Sequence, residues 1–120
     1  EGELYFSLGL LEAQLEDLES AADALATASR LLPDRPRVHY NYGLAAQHVG
    51  RIQEAEAALG RAAQLEPQDP DFAYGLATFY VNESRYELAL VWARKLAELL
   101  PDAPGPRQLI DEIERKARGG

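Results

Sequence analysis

The few side chains that could support covalent or metal chemistry are not spaced for it. The two histidines, His39 and His48, lie nine residues apart, which does not place them on one helix face as a metal-ligand pair. We expect His39 to be half-buried or buried and His48 to be hydrogen-bonded or solvated. The serines have no base nearby in sequence, and the chain has no cysteine and no glycine-rich phosphate loop. The sequence therefore predicts no catalytic residue, no metal site and no cofactor.

Aromatic side chains suited to noncovalent recognition recur with a fixed period. Phe6, Tyr40 and Tyr74 are each 34 residues apart, and aromatic anchors dominate the binding energy of many protein interfaces. Prolines and small or apolar residues share this period. They are Pro33, Pro67 and Pro101; Ala21, Ala55 and Ala89; Gly9, Gly43 and Ala77; and Leu25, Leu59 and Ala93. A period in this range indicates a chain built from structural repeats.

Each repeat predicts two helices. In the first repeat Leu4, Leu8, Leu11 and Leu15 recur at the spacing of one helix face, and a second stretch rich in alanine and leucine follows a turn. The proline ends each second helix because it lacks an N–H and clashes with the preceding turn. The repeats cover 2–35, 36–69 and 70–103. The predicted helices cover about 3–15, 19–32, 36–48, 53–65, 70–82, 87–99 and 105–117.

A 34-residue helix pair with these small and apolar positions resembles the tetratricopeptide repeat (TPR) family. In the first repeat the matching residues are Tyr5, Leu8, Gly9, Ala21, Leu25, Ala28 and Pro33. The departures are Glu12, His39, Ala46, Ala73, Ala93 and Leu96. The resemblance implies an all-α fold, a right-handed TPR superhelix of three helix-turn-helix repeats. A capping helix at about 104–118 completes a single domain over residues 1–120.

In the TPR family the first helix of each repeat lines a concave groove that binds a peptide or a helical segment. The positions that the resemblance assigns to this groove are Phe6, Leu10, Arg37, Tyr40, Leu44, Gln47, His48, Tyr74, Thr78, Val81 and Asn82. Phe6, Tyr40 and Tyr74 would form a ladder of aromatic rings along it. The alternative is that the ladder only packs between adjacent helices.

One binding mode of the family can be compared residue by residue. TPR domains that bind chaperone C-termini hold the terminal carboxylate with two lysines, two asparagines and an arginine. The corresponding positions here are Phe6, Leu10, Asn41, Asp71 and Gly75. Only Asn41 fits, so an acidic chaperone tail is a poor candidate. An apolar or mildly basic peptide, or a helix, is the expected ligand.

The charge balance excludes several other functions. The net charge is −8, whereas a nucleic-acid footprint requires clustered lysine and arginine, and an anionic membrane surface is equally disfavoured. No apolar run approaches the roughly 18 residues of a membrane span. The first repeat has seven acidic and two basic residues, a charge of −5, whereas residues 104–120 have three acidic and four basic residues, a charge of +1.

Two further expectations concern the chain as a whole. It begins at Glu1 and contains no methionine, so we expect a fragment or processed product of a longer protein. Its composition resembles bacterial TPR segments, and the alternative function is a structural spacer or docking arm of a larger bacterial protein with no ligand of its own. We also expect self-association, in which the uncapped first helix pairs with a neighbour's first helix or oppositely charged tail. The cytoplasm and the periplasm both remain open.

Overall fold

The computed structural model describes residues 1–119, which form seven α-helices and, within that range, no β-strand. The helices are α1 (Gly2–Gln14), α2 (Leu18–Leu31), α3 (Pro36–His48), α4 (Ile52–Leu65), α5 (Pro70–Asn82), α6 (Tyr86–Leu99) and α7 (Gly105–Ala117). Each end lies within one residue of its predicted position. The all-α fold is therefore confirmed, and it consists of three helix pairs and a seventh helix.

The chain divides into two compact units, Glu1–Glu66 and a second that starts at Pro67. In the first unit α1 packs on α2, α2 on α3 and α3 on α4. In the second unit α5 packs on α6, and α6 packs on α7. Helices that are neighbours in sequence are thus neighbours in space within each unit. The single domain over residues 1–120 stays a prediction.

The turn inside each helix pair has a left-handed residue at the same repeat position. Glu16, Gly50 and Ser84 have φ angles of 63°, 82° and 57°, and they are spaced by the 34-residue period. Glycine adopts this conformation without a steric penalty, whereas a side chain with a Cβ atom is strained there. The repeat thus keeps the turn geometry even where it does not keep the glycine.

The first two pairs are each held together by small residues and by one leucine on the second helix. Leu25 and Leu59 are each 1 % exposed, and the alanines around them are fully buried. These alanines are Ala21, Ala28, Ala55 and Ala62. A Cβ atom at Gly9 would lie 2.6 Å from Leu25 Cγ, and one at Gly43 would lie 2.7 Å from Leu59 Cγ. The glycines therefore allow the two helices of a pair to approach closely.

The third repeat replaces both partners of this contact. Ala77 stands at the glycine position and Ala93 at the leucine position, and both are fully buried. The methyl group added at Ala77 is thus matched by the smaller side chain at Ala93. Ala93 departs from the TPR pattern, and the larger residue at position 77 compensates for its smaller side chain.

Polar contacts link helices of the first unit, both between its two repeats and within the second one. Arg51, at the start of α4, donates to Asp23 at 2.9 Å and to Glu19 at 3.2 Å, both on α2. The Tyr42 hydroxyl of α3 donates to Glu54 of α4. Burial, followed by this hydrogen bond, raises the pKa of Tyr42 to about 12 from 10.0. All of these carboxylates are largely exposed, so each ion pair contributes little to stability.

The seventh helix is anchored in the second unit by apolar contacts. Ile113 is fully buried, Pro106 is buried, and Leu109 and Ile110 are half-buried. The Arg94 guanidinium of α6 lies 3.7 Å from the Glu114 carboxylate of α7. The remaining side chains of α7 are mostly exposed and polar. The capping role of this helix stays a prediction. Within residues 1–119 no helix is long and apolar enough to cross a membrane.

Candidate peptide-binding surfaces

In the first unit, the predicted groove position on α1 is partly taken up by packing. Phe6 is half-buried and packs against a cluster of the buried residues Ala22, Leu25 and Ala45. Its neighbour at the next predicted position, Leu10, is 38 % exposed. At Phe6 the ring therefore serves the core, and only its uncovered part remains for a ligand.

The equivalent face of α3 combines an aromatic ring with a cation. The Arg37 guanidinium lies 5.2 Å from the centre of the Tyr40 ring, within cation–π range. Tyr40 and Leu44 are half-buried. Further along the helix Gln47 is half-buried and His48 is exposed. This face offers hydrogen-bonding groups at one end and a stacked ring at the other.

The other histidine, His39, does not lie on this face of α3. It is half-buried, and its Nε2 lies 2.8 Å from the carbonyl oxygen of Pro33, to which a protonated Nε2 donates. This contact ties the start of α3 to the turn that precedes it. Within residues 1–119 no group of three or more histidine, cysteine or acidic residues could hold a metal ion.

In the second unit the equivalent position of α5 is open. Tyr74 is 53 % exposed, and its backbone carbonyl accepts a hydrogen bond of 3.1 Å from the Thr78 hydroxyl. The same hydroxyl lies 3.1 Å from the Gly75 carbonyl. Because its hydroxyl is satisfied by the helix, Thr78 can present its methyl group to a ligand.

A cavity of about 170 Å³ opens between α5 and α7. It is lined by Thr78, Val81 and Asn82 of α5 and by Leu109, Glu112, Ile113 and Lys116 of α7. The apolar groups of Val81, Leu109 and the buried Ile113 are combined with the exposed polar ends of Asn82 and Lys116. A ligand pocket typically has this composition, apolar with a few polar groups.

The structure thus brings the predicted residues Thr78, Val81 and Asn82 together with a helix that the sequence analysis treated only as a cap. The cavity residues of α7 are spaced i, i+3, i+4 and i+7 from Leu109, which is one helix face. That spacing was available in the sequence. The 34-residue pattern ends before α7, so no repeat position marked these residues.

The three ladder residues occupy one repeat position but have three different environments. Phe6 packs on the core, Tyr40 lies half-buried beside Arg37, and Tyr74 is exposed. Packing within the protein therefore covers much of the Phe6 ring and the smallest part of the Tyr74 ring. The free aromatic surface is at the third repeat, on the same helix as the cavity residues Thr78 and Val81.

Comparison with known proteins agrees with the fold. Two family models described as tetratricopeptide repeat match the chain, one over residues 46–111 and one over residues 6–58. The first alone spans more than half of the chain. The chain therefore belongs to the tetratricopeptide repeat family. No curated protein sequence matches it significantly.

Solved structures of similar fold include peptide complexes. The Yersinia enterocolitica type III secretion chaperone SycD, solved with a peptide of the translocator YopD, is 18 % identical with a TM-score of 0.83. The match covers 95 % of this chain and 92 % of that one. The first TPR of Spaghetti (RPAP3), solved with the HSP90 peptide SRMEEVD, is 15 % identical, with a TM-score of 0.85 and coverages of 97 % and 92 %. MamA is 22 % identical with a TM-score of 0.89, covering 99 % of this chain and 64 % of that one. At these identities the likeness concerns the fold.

Proposed function

We propose that this chain is a protein–protein interaction scaffold that binds a peptide or a helical segment in an aromatic-lined groove formed by the first helices of its repeats. The observation that carries the proposal is the α5–α7 cavity, which lies on the same helix as the exposed ring of Tyr74. Two proteins of similar fold, SycD and RPAP3, were solved with bound peptides, which supports this class of function.

The cavity fits one apolar side chain of the ligand. A cavity of roughly 150 Å³ lined by aliphatic and aromatic residues holds a benzene molecule, and the α5–α7 cavity is of similar size at about 170 Å³. Asn82 and Lys116 also line the cavity, and their side chains can hydrogen-bond to the backbone of the same ligand. On α3, the side chains of Gln47 and His48 can likewise hydrogen-bond to the backbone of an extended peptide.

Acidic C-terminal tails are not the proposed ligand. Of the five positions that hold a terminal carboxylate in chaperone-binding relatives, only Asn41 carries a suitable side chain here, and Asp71 would repel the charge. We predict that the peptide SRMEEVD, which RPAP3 binds, does not bind this chain in a fluorescence anisotropy titration. Saturable binding of that peptide would show that another set of cations replaces the missing ones.

The proposal is tested by selecting peptides from a displayed random library on the immobilised chain. The best peptide is then measured against the double variant Tyr40→Ala/Tyr74→Ala and against Val81→Asp. We expect at least a roughly tenfold loss of affinity for each, as for the truncation of a buried anchor. The matched control is Val91→Asp, a half-exposed apolar residue of α6 outside these surfaces, which should bind normally.

The alternative function, a spacer or docking arm without a ligand, is favoured by one observation: Phe6 packs on the core. It predicts that the selection yields no peptide, or only peptides whose affinity is the same for all four proteins. Circular dichroism of each variant separates loss of binding from loss of helicity.

A further inference from the structure

The charged groups around the α5–α7 cavity are not balanced. The Glu112 carboxylate lies 4.0 Å from the Arg115 guanidinium, and Arg115 does not line the cavity. Lys116 does line the cavity, and its ammonium has no ion-pair partner within residues 1–119. These three residues carry one negative and two positive charges, so one positive charge remains whichever cation pairs with Glu112. The apolar cavity therefore has an unbalanced cation at its edge.

This local charge is opposite in sign to the charge of the whole chain. The net charge of −8 favours a basic ligand at long range, and the sequence analysis expected an apolar or mildly basic one. At physiological ionic strength, however, exposed charges more than roughly 8 Å apart are largely screened from each other. A ligand group that contacts Lys116 is thus governed by that ammonium, which an acidic side chain would pair with.

The walls of the cavity have the spacing of helix turns. On α5 the exposed Tyr74 and the cavity residues Thr78 and Val81 recur at i, i+4 and i+7, and on α7 the cavity residues extend from Leu109 to Lys116. Seven residues of helix rise about 10.5 Å, with one turn every 5.4 Å or so. A ligand helix presents apolar side chains at the same intervals, so they can fit between those of the walls. Side chains on one face of an extended peptide are about 6.6 Å apart, so the spacing favours a helical ligand.

The two walls run in the same direction. Short segments, 83–85 and 100–104, connect α6 to α5 and to α7, and short connections join antiparallel neighbours. Asn82 is the last residue of α5, and Lys116 is the last but one of α7. A ligand helix antiparallel to both walls opposes their dipoles and places its own first turn at these two residues. Acidic residues stabilise a first turn, and the Asn82 side-chain oxygen can accept from one of its unpaired N–H groups.

We propose that the ligand of the α5–α7 cavity is an amphipathic helix of another protein, antiparallel to α5 and α7. Its apolar stripe covers Tyr74 and Val81, and an acidic residue in its first turn pairs with Lys116. This inference rests on the proposed function and names the ligand class of the same site. The apolar contacts supply most of the affinity, whereas the exposed ion pair adds little affinity but selects the ligand and its direction. The heptapeptide SRMEEVD is too short for a stable helix, so its predicted failure to bind is unchanged.

The test uses two synthetic peptides of about 15 residues, a length at which an isolated helix becomes stable. Both have leucines at i, i+4 and i+7 in a neutral sequence, with either glutamate or lysine one turn before the first leucine. In fluorescence anisotropy titrations the wild type should bind the glutamate peptide about fivefold or more tightly than the lysine peptide. Lys116→Glu should abolish or reverse this preference, because the charge at the contact is reversed. The effect of the first-turn charge on the helicity of the peptide is the same for every variant, so it cancels in this comparison.

The matched control is Arg107→Glu, which changes the net charge by the same amount. Arg107 is an exposed residue of α7 that does not line the cavity, so the ratio of the two affinities should be that of the wild type. An unchanged ratio in Lys116→Glu, or an equal change in Arg107→Glu, overturns the proposal. If neither peptide binds the wild type, the helical ligand is also refuted, and the displayed-library selection decides separately whether the proposed function survives.

A third peptide tests the direction of the ligand helix. Its glutamate is moved to one turn after the last leucine, so in the antiparallel arrangement it lies far from Lys116. We expect the wild type and Lys116→Glu to bind this peptide with the same affinity. If Lys116→Glu weakens the third peptide as much as the glutamate peptide, the antiparallel arrangement is wrong.

Discussion

The absence of a Cβ atom at Gly9 decides how closely α1 approaches α2. The nearest atoms to an added methyl group are Cγ and Cδ2 of Leu25, at 2.6 and 2.8 Å, whereas the nearest backbone atom is 3.4 Å away. The conflict is therefore almost entirely with one side chain. The third repeat, with Ala77 and Ala93 at these two positions, shows the alternative solution.

We accordingly predict strong coupling between Gly9 and Leu25. Gly9→Ala should cost about 1–3 kcal/mol through overpacking, and Leu25→Ala about 2–5 kcal/mol through the cavity that it leaves. The double variant should be more stable than the sum of the two costs implies, by about 1 kcal/mol or more. Urea denaturation of the four proteins measures this. Simple additivity would show that the two sites do not share one space.

A second residue-scale prediction concerns Tyr42, whose pKa is raised to about 12 from 10.0 by burial and then by its hydrogen bond to Glu54. A folded-state pKa above the unfolded value means that the contribution to stability is complete below pH 10 and is lost between pH 10 and 12. The free energy of unfolding of the wild type should therefore fall more steeply across that window than that of Tyr42→Phe. Parallel pH profiles for the two proteins would contradict the assignment.

At the scale of the element, two glycines near α4 should respond in opposite ways to the same substitution. Gly50 has φ +82° in the turn before α4, so Gly50→Ala should destabilise by about 1–2 kcal/mol because of the left-handed backbone. Gly60 lies inside α4, and a Cβ there meets nothing within 4 Å, so Gly60→Ala should stabilise by about 0.5–1 kcal/mol. Thermal unfolding of both variants checks the pair, and a shift of the same sign in both would refute it.

The elements were largely predictable from the sequence because each boundary has a local cause. Pro36 and Pro70 are the first residues of α3 and α5, a position in which proline is favoured. Each boundary then recurs 34 residues later in the next repeat. The side-chain environments were less predictable. Phe6 and Tyr74 share one repeat position, yet only the folded packing shows that one ring lies on the core and the other is exposed.

The role of α7 was the main omission in the candidate site. The sequence predicted a helix at about 104–118, in which the structure shows Leu109 half-buried and Ile113 fully buried. It did not indicate which helix lies beside them. A repeat pattern identifies positions by comparison with other repeats, and α7 has none to compare with. The cavity against Val81 therefore emerged only from the structure.

At the scale of the whole molecule, the proposed binding surface is best defined in the second unit, where α5 has a cavity against α7. The proposed role is binding, and it is supported by this cavity and by the exposed ring of Tyr74.

The most direct test of that role is a map of backbone amide shifts during titration of the labelled chain with a library-selected peptide. The account predicts that the largest changes fall on Tyr74, Thr78 and Val81 of α5 and on Leu109 and Lys116 of α7, and that Val81→Asp removes them. Changes confined to α6 around the exposed Val91, or changes that persist in Val81→Asp, would show that the α5–α7 cavity is not where the ligand binds.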